Sequence, residues 1–134
     1  MRKLRILYQL NWGYSQVVDD LKPRDLIDEL IASGNKCNID DIVYITKTTE
    51  GKLLWLEKGN STAGLQHIIE RHANDFSAKG FDNIPQLLSN VLKTKPIKIG
   101  SSSKGFYANY ILNENVYRLA YGTNGFIVSF YPID

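Results

Sequence analysis

The sequence VYRLAYGTNGFIVSFY, residues 116–131, decides the fold, because two runs with a period of two flank the turn-forming residues GTNG. Such a pattern is typical of a β-hairpin. If Asn124 and Gly125 form a two-residue turn, Thr123 pairs with Phe126 and parity assigns the faces. The apolar face then carries Tyr117, Leu119, Tyr121, Phe126, Val128 and Phe130, and the other face carries Arg118, Ala120, Ile127, Ser129 and Tyr131. We expect the second face to be accessible to a substrate.

Outward from this hairpin, the same period predicts two further strands over residues 96–100 and 106–112, hence a C-terminal β-meander. Residues 41–47 and 52–58 predict a separate hairpin. Helical spacing predicts helices over residues 64–76 and 84–92, the latter with Pro85 in its first turn. A further helix follows Pro23 and ends at Gly34, either as a separate piece or as part of one bent helix. Its predicted buried residues are Leu26, Ile27, Leu30 and Ile31.

This order of elements predicts an α+β fold with helices packed on one side of a mostly antiparallel sheet. Residues 3–10 add a first strand or an extended arm, and Ser15 is placed to cap a short helix. With 134 residues, 43% of them hydrophobic, we expect one soluble domain over residues 1–134. No apolar run approaches the length needed to cross a bilayer. The single Cys37 excludes an internal disulfide.

Both histidines of the chain lie in one segment, GLQHIIERHANDF, residues 64–76. The predicted buried stripe of this helix consists of Leu65, Ile68, Ile69, His72 and Phe76. His67 and Arg71 stand one turn apart on the polar flank. Two proton carriers and a fixed cation within six residues suit acid–base chemistry on a phosphate. His67 and His72 lie about 140° apart around a helix, which disfavours a shared metal ion. We predict no metal site and no cofactor.

The basic residues are concentrated in the C-terminal part of the chain. Residues 86–125 contain Lys93, Lys95, Lys98, Lys104 and Arg118, with Glu114 as the only acid. Acidic residues are instead frequent in the first third of the chain. This distribution favours a polyanion as partner for the C-terminal part.

Three segments together resemble a known group of nucleases. They are KLLWLEKGN (residues 52–60), GLQHIIERH (residues 64–72, with Phe76) and NGFIVSFYP (residues 124–132). The set is similar to the barnase, EndoU, colicin E5/D and RelE-like nuclease domains of phage proteins and of bacterial polymorphic and contact-dependent growth inhibition toxins. The resemblance covers residues 41–132, a nuclease-like core, whereas residues 1–40 carry no match.

The resemblance implies a metal-independent endoribonuclease that cleaves tRNA or another RNA and is neutralised by a cognate immunity protein, which we expect to be acidic. It also implies delivery as part of a larger, secreted toxin that acts in the cytoplasm of the target cell. The implied catalytic residues are His67, His72, Arg71, Thr123, Ser129 and Tyr131. The expected substrate-binding residues are Lys104, Arg118 and Tyr107.

Two alternatives remain open at this point. Aromatic residues on the sheet would also suit a non-catalytic binding protein of phage or bacterial origin. A metal-dependent DNase is disfavoured, because no carboxylate cluster accompanies the histidines. Which histidine acts as base and which as acid is also open. If one of them is structural, we expect it to be His72, on the apolar side of its helix.

Overall fold

The computed structural model describes residues 20–133. The predicted strand over residues 3–10 and the predicted helix cap at Ser15 lie outside this range. The helices are α1 (Arg24–Ser33), α2 (Leu65–Ala78) and α3 (Ile84–Leu92), and a short 3-10 turn spans Ile39–Asp41. As predicted, α1 follows Pro23 and ends at Gly34, and α3 begins with Pro85 in its first turn. The Asn83 side chain caps α3 by accepting a hydrogen bond from the Gln86 N–H.

The described strands form two antiparallel sheets. Strands β1 (Ile42–Lys47) and β2 (Leu53–Glu57) make the predicted hairpin. Strands β3 (Lys98–Ser102), β4 (Gly105–Leu112), β5 (Asn115–Tyr121) and β6 (Ile127–Pro132) follow one another as a meander. The fold is therefore α+β with a C-terminal meander, as the sequence predicts.

The hairpin is attached to the meander at the start of β6. Trp55 and Phe126 form an isolated parallel bridge, and their rings meet edge to face with centroids 5.9 Å apart. The backbone N–H of Trp55 donates to the Gly125 carbonyl at 3.1 Å. Gly125 has φ 103°, and a Cβ there would collide with the Leu53 carbonyl oxygen. Glycine at this position therefore allows the two backbones to approach.

The main core lies on one face of the meander, under α2, α3 and part of the hairpin. All five apolar residues predicted for the buried side of α3 are buried: Ile84, Leu87, Leu88, Val91 and Leu92. A second cluster packs α1 against the other side of the hairpin and contains Leu30, Ile42, Ile45 and Trp55. The opposite face of the meander carries polar and aromatic side chains together with the aliphatic residues Ile111, Val116 and Ala120.

The predicted two-residue turn between β5 and β6 is wrong. The Gly122 backbone N–H donates to the Phe126 carbonyl at 2.9 Å, so the loop is longer than two residues. A bulge between Ala120 and Tyr121 compensates for the greater length of the loop. Arg118 therefore still pairs with Tyr131, as the shorter turn predicted.

The bulge changes the face of one residue. Ile127 pairs with Tyr121 and is fully buried in the main core, although parity predicted it on the Arg118 face. Phe126, predicted with the main apolar face, packs instead in the second cluster beside Trp55. The bulge lies between the loop and Ala120. The residues on the far side of it, from Ser129 to Tyr131 on β6, therefore keep their predicted faces.

Two helical positions were also wrongly predicted as buried. Ile31 in α1 is 53% exposed and Ile69 in α2 is 46% exposed. Each helix packs against a narrow surface: α1 contacts β1, and α2 contacts the edge strand β6. The buried arc of each helix is therefore narrower than the apolar stripe of its sequence.

Candidate active site

The candidate site lies on the face of the meander that points away from the main core. Arg118 on β5 is the cross-strand neighbour of Asn109 on β4 and of Tyr131 on β6. Lys98 on β3 lies opposite Asn109. Because opposed residues of an antiparallel sheet project to the same side, these four side chains share one face.

Helix α2 brings a histidine to this face. Phe76 stacks on Phe130 with centroids 5.6 Å apart, and His72, one turn earlier, stacks on Tyr131 at 4.7 Å. Successive strand residues point to opposite faces of a sheet. Helix α2 therefore straddles the edge strand β6, with Phe76 on the core side and His72 on the outer side.

The His72 ring is oriented by a carboxylate. Its Nδ1 lies 3.0 Å from Oδ2 of Asp75, three residues later on α2. A proton on Nδ1 is donated to this carboxylate, which leaves Nε2 as a proton acceptor. Within residues 20–133, Nε2 has no hydrogen-bond partner. The His72 side chain is 22% exposed, so solvent or a ligand can reach it.

Arg118 is held by two neighbours on β4. Its Nε donates to Oδ1 of Asn109 at 2.9 Å, and its Cζ lies 4.3 Å from the centre of the Tyr107 ring. The part of the chain that the structure describes offers no hydrogen-bond partner to the terminal guanidinium nitrogens. A guanidinium held in this way presents paired donors suited to a phosphate.

The position of Tyr107 depends on a glycine. Gly100 on β3 pairs with Tyr107, and a Cβ at residue 100 would collide with the tip of the Tyr107 ring. The aromatic ring therefore occupies the space that a larger residue at position 100 would fill. This arrangement allows the ring to lie under the Arg118 guanidinium.

Ser129 adds a buried hydroxyl to the same face. It pairs with Ala120 on β5, two residues from Tyr131 along β6, and is 6% exposed. Its Oγ has no hydrogen-bond partner among the described residues. Buried hydroxyls without a partner are uncommon in folded proteins, so this one calls for an explanation. We refer to His72, Asp75, Tyr107, Asn109, Arg118, Ser129 and Tyr131 as the outer-face cluster.

Several residues of the sequence-based hypothesis therefore lie together. His72 contacts Tyr131, Arg118 pairs with Tyr131 and contacts Tyr107, and Ser129 projects to the same face. Arg71 directly precedes His72 on α2 and is exposed.

The remaining predicted residues take other positions. Nδ1 of His67 lies 3.0 Å from the Ser61 carbonyl oxygen, in the loop before α2. Thr123 is in the loop at the opposite end of β6 from Tyr131, where its carbonyl accepts from Lys52 Nζ. Lys104 is exposed in the turn between β3 and β4. The described contacts link none of the three to His72.

Sequence reasoning did not select Asp75, Asn109 or Gly100. Asp75 had a signal, because it follows His72 by three residues, a spacing that brings helical side chains together. Gly100 also had one, since an isolated glycine in a strand marks a close approach by another group. Asn109 had none, because its contact with Arg118 depends on the register of β4 and β5.

The described residues contain no group of three or more His, Cys, Asp or Glu side chains placed to hold a metal ion. Over the same residues, no helix combines the length and apolar character required to span a membrane. No protein-family description matches the chain, and no curated protein shows a significant match to it.

Proposed function

We propose that the chain is a metal-independent endoribonuclease and that the outer-face cluster is its active site. The observation that carries the proposal is the placement of His72, oriented by Asp75 and stacked on Tyr131, one strand away from Arg118. A base with an open nitrogen and a cation with open donors are the groups that phosphodiester transfer requires.

RNA supplies its own nucleophile in this reaction. Nε2 of His72 removes the proton from a 2′-hydroxyl, and the 2′-oxygen attacks the adjacent phosphorus. The terminal N–H groups of Arg118 stabilise the charge that develops on the pentavalent phosphorane. The Tyr131 hydroxyl donates a proton to the departing 5′-oxygen. The products are a 2′,3′-cyclic phosphate and a 5′-hydroxyl end.

The surroundings of the cluster favour a nucleic acid as substrate. Lys98 lies across β4 from Arg118 and extends the positive charge along the face. Tyr107 and Tyr131 offer aromatic rings on which unstacked bases of single-stranded RNA can pack. Ser129 lies on the same face, but its Oγ atom is fully buried beneath it. The preference for tRNA, the delivery by a larger toxin and the acidic immunity protein belong to this proposal through the motif resemblance.

The test is incubation of the purified chain with total bacterial RNA in EDTA. We expect discrete fragments from the parent and a loss on the order of 10²–10⁴ in rate from His72→Ala, since a general base contributes this much. His67→Ala is the matched control on the same helix and should retain cleavage. Circular dichroism and thermal melting establish that both variants are folded.

The chemistry of the ends tests the mechanism separately. Fragments should carry 2′,3′-cyclic phosphates, and a single 2′-deoxy substitution at a mapped cleavage site should block cutting there. A 3′-hydroxyl product, or activity that EDTA abolishes, would contradict the proposal. Intact RNA in every reaction would favour the alternative of a binding protein, for which the exposed strand β3 is the supporting observation.

A further inference from the structure

Strand β3 is an exposed edge. It pairs with β4 on one side, and residues 20–133 provide no strand on its other side. Four of its five residues are exposed, and Gly100 is partly exposed. Edge strands present unpaired N–H and C=O groups, and folded proteins usually cover or disrupt them.

An apolar groove runs beside this edge, between the β1–β2 hairpin and the core-facing side of the meander. Its volume is about 260 Å³. The lining residues include Leu54, Ile99, Phe106, Tyr110 and Tyr121, with Glu50 and Lys52 from the hairpin. Ile99, on β3 itself, is 55% exposed. The groove therefore continues directly onto the open edge.

Tyr110 contributes a polar group to the groove. The residue is 3% exposed and lines the groove, and its hydroxyl has no hydrogen-bond partner in the described part of the chain. A hydroxyl in the wall of the groove can form a hydrogen bond with an occupant.

Three lysines surround the edge strand, whereas Glu50 lies in the groove wall on the hairpin. Lys95, Lys98 and Lys104 are exposed before, within and after β3. None of them forms an ion pair with another described residue. An acidic partner would meet three unneutralised ammonium groups along a short length of chain.

We propose that β3 accepts an extended acidic strand from a partner protein, which adds to the sheet and inserts an apolar side chain into the groove beside Ile99. Main-chain hydrogen bonds to β3 hold the strand, and the groove selects its side chain. Side chains of an added strand alternate between the groove and the Lys98 side. The partner strand therefore alternates apolar and acidic residues.

Other occupants fit this surface less well. Two copies of this chain joined through β3 would bring their lysines together, and like charges on paired strands are destabilising. RNA would satisfy the lysines, but it would leave the apolar walls of the groove without a matching group. The inference goes beyond the proposed function and does not depend on RNA cleavage.

The test uses a short synthetic peptide of alternating glutamate and valine or isoleucine, acetylated and amidated at its ends. Titration into the ¹⁵N-labelled protein should shift the backbone amides of β3 and of the groove. Ile99→Asp should weaken binding about tenfold or more, since loss of one buried isoleucine contact is worth at least that factor. Ile31→Asp, at another exposed isoleucine, should bind like the parent.

A second probe leaves the protein unchanged. The same peptide with alternate backbone nitrogens methylated cannot donate to a strand edge, so it should bind much more weakly. Equal binding of both peptides, or no effect of Ile99→Asp, would overturn strand addition in favour of simple charge attraction. A dimer in sedimentation that Ile99→Asp dissolves would assign the edge to a second copy. Displacement of the peptide by a single-stranded oligonucleotide, with the same amide shifts, would assign it to RNA. Either result would overturn the proposal.

Discussion

The imidazole ring of His72 lies on the phenol ring of Tyr131, with centroids 4.7 Å apart and planes inclined by 15°. This contact joins the middle of α2 to the last strand on the outer face of the meander. It selects His72, rather than His67, as the histidine that shares a surface with Arg118. His67 is instead held by the Ser61 carbonyl of the preceding loop.

Asp75→Asn should reduce RNA cleavage without unfolding the protein. The Asp75 carboxylate accepts from Nδ1 of His72 and so fixes the proton on that nitrogen, whereas an amide offers both a donor and an acceptor. We expect kcat to fall by about tenfold or more, within the range of a general base, with little change in KM. A structural role alone would not produce this separation. Imidazole ¹⁵N spectra should show the Nδ1-protonated form in the parent and a mixture in the variant.

Glu70→Gln is the control for this prediction. Glu70 is an exposed carboxylate on the same helix, and it accepts a hydrogen bond from Gln66 rather than from a histidine. It should keep the activity and the imidazole spectrum of the parent. If both variants lost activity equally, general charge on α2 would explain the effect and Asp75 would have no specific role.

Ser129→Ala should separate stability from function. The Ser129 hydroxyl is buried, and no described residue bonds to it, so its removal costs the folded state no known hydrogen bond. We expect the free energy of unfolding to stay the same or to rise by about 1 kcal/mol. RNA binding should be unchanged, because the Oγ atom is fully buried and does not reach a bound substrate. Denaturant melts and RNA titrations measure the two effects. The net contribution of one hydrogen bond is roughly 1 kcal/mol. A larger loss of stability would show that the hydroxyl has a partner and would contradict the prediction.

The sequence was sufficient for the parts of the fold that depend on local pattern. The limits of α3 follow from Pro85 and the apolar spacing after it. The shared face of Arg118 and Tyr131 was also predictable, because apolar residues alternate with the others in both β5 and β6. These features are set by neighbours along the chain.

The position of Ile127 was not predictable, because its cause is tertiary. The bulge occurs where Phe126 leaves the meander to bridge Trp55 on the hairpin. The contact of His72 with Tyr131 was not predictable for the same reason. It requires α2 to straddle the edge strand, and spacing within α2 does not reveal which strand the helix packs against.

Gly100→Ala should destabilise the parent but not a variant that lacks the Tyr107 ring. The new methyl group would displace the Tyr107 ring, which lies against Gly100 and also contacts the Arg118 guanidinium. Loss of the cation–π contact costs about 0.5–1 kcal/mol at an exposed site. In the Tyr107→Ala background the clash is absent, and alanine should then be neutral or stabilising in a strand.

A double-mutant cycle on Gly100 and Tyr107 measures this coupling directly. Chemical denaturation of the parent, the two single variants and the double variant gives the four free energies of unfolding. Additive effects would mean that the ring and the glycine are independent. Such a result would contradict the close packing from which the prediction is derived.

Two tyrosines that line the groove make the free energy of unfolding depend on pH in the alkaline range. Burial raises the pKa of the Tyr110 phenol well above its ordinary value of 10.0, and Tyr121, Glu50 and Tyr44 add smaller effects in the same direction. Burial, with a contribution from Glu50, also raises the pKa of Tyr121. The folded protein therefore retains phenolic protons that the unfolded chain loses above about pH 10. A state that holds more protons loses stability as pH rises, so this contribution is present below pH 10 and declines above it.

Tyr110→Phe should reduce the alkaline loss of stability. The Tyr110 hydroxyl has no described hydrogen bond, so we expect the variant to be close to the parent at neutral pH. Between pH 10 and 11 the parent should lose up to about 1.4 kcal/mol more than the variant, the value for one proton over one pH unit. Lysine titration affects both proteins equally and cancels in the difference. Urea melts across this range, with ultraviolet titration of the phenolate, provide the measurement. Identical slopes of unfolding free energy against pH in the two proteins would contradict the prediction, because they would show that Tyr110 titrates alike in the folded and unfolded states.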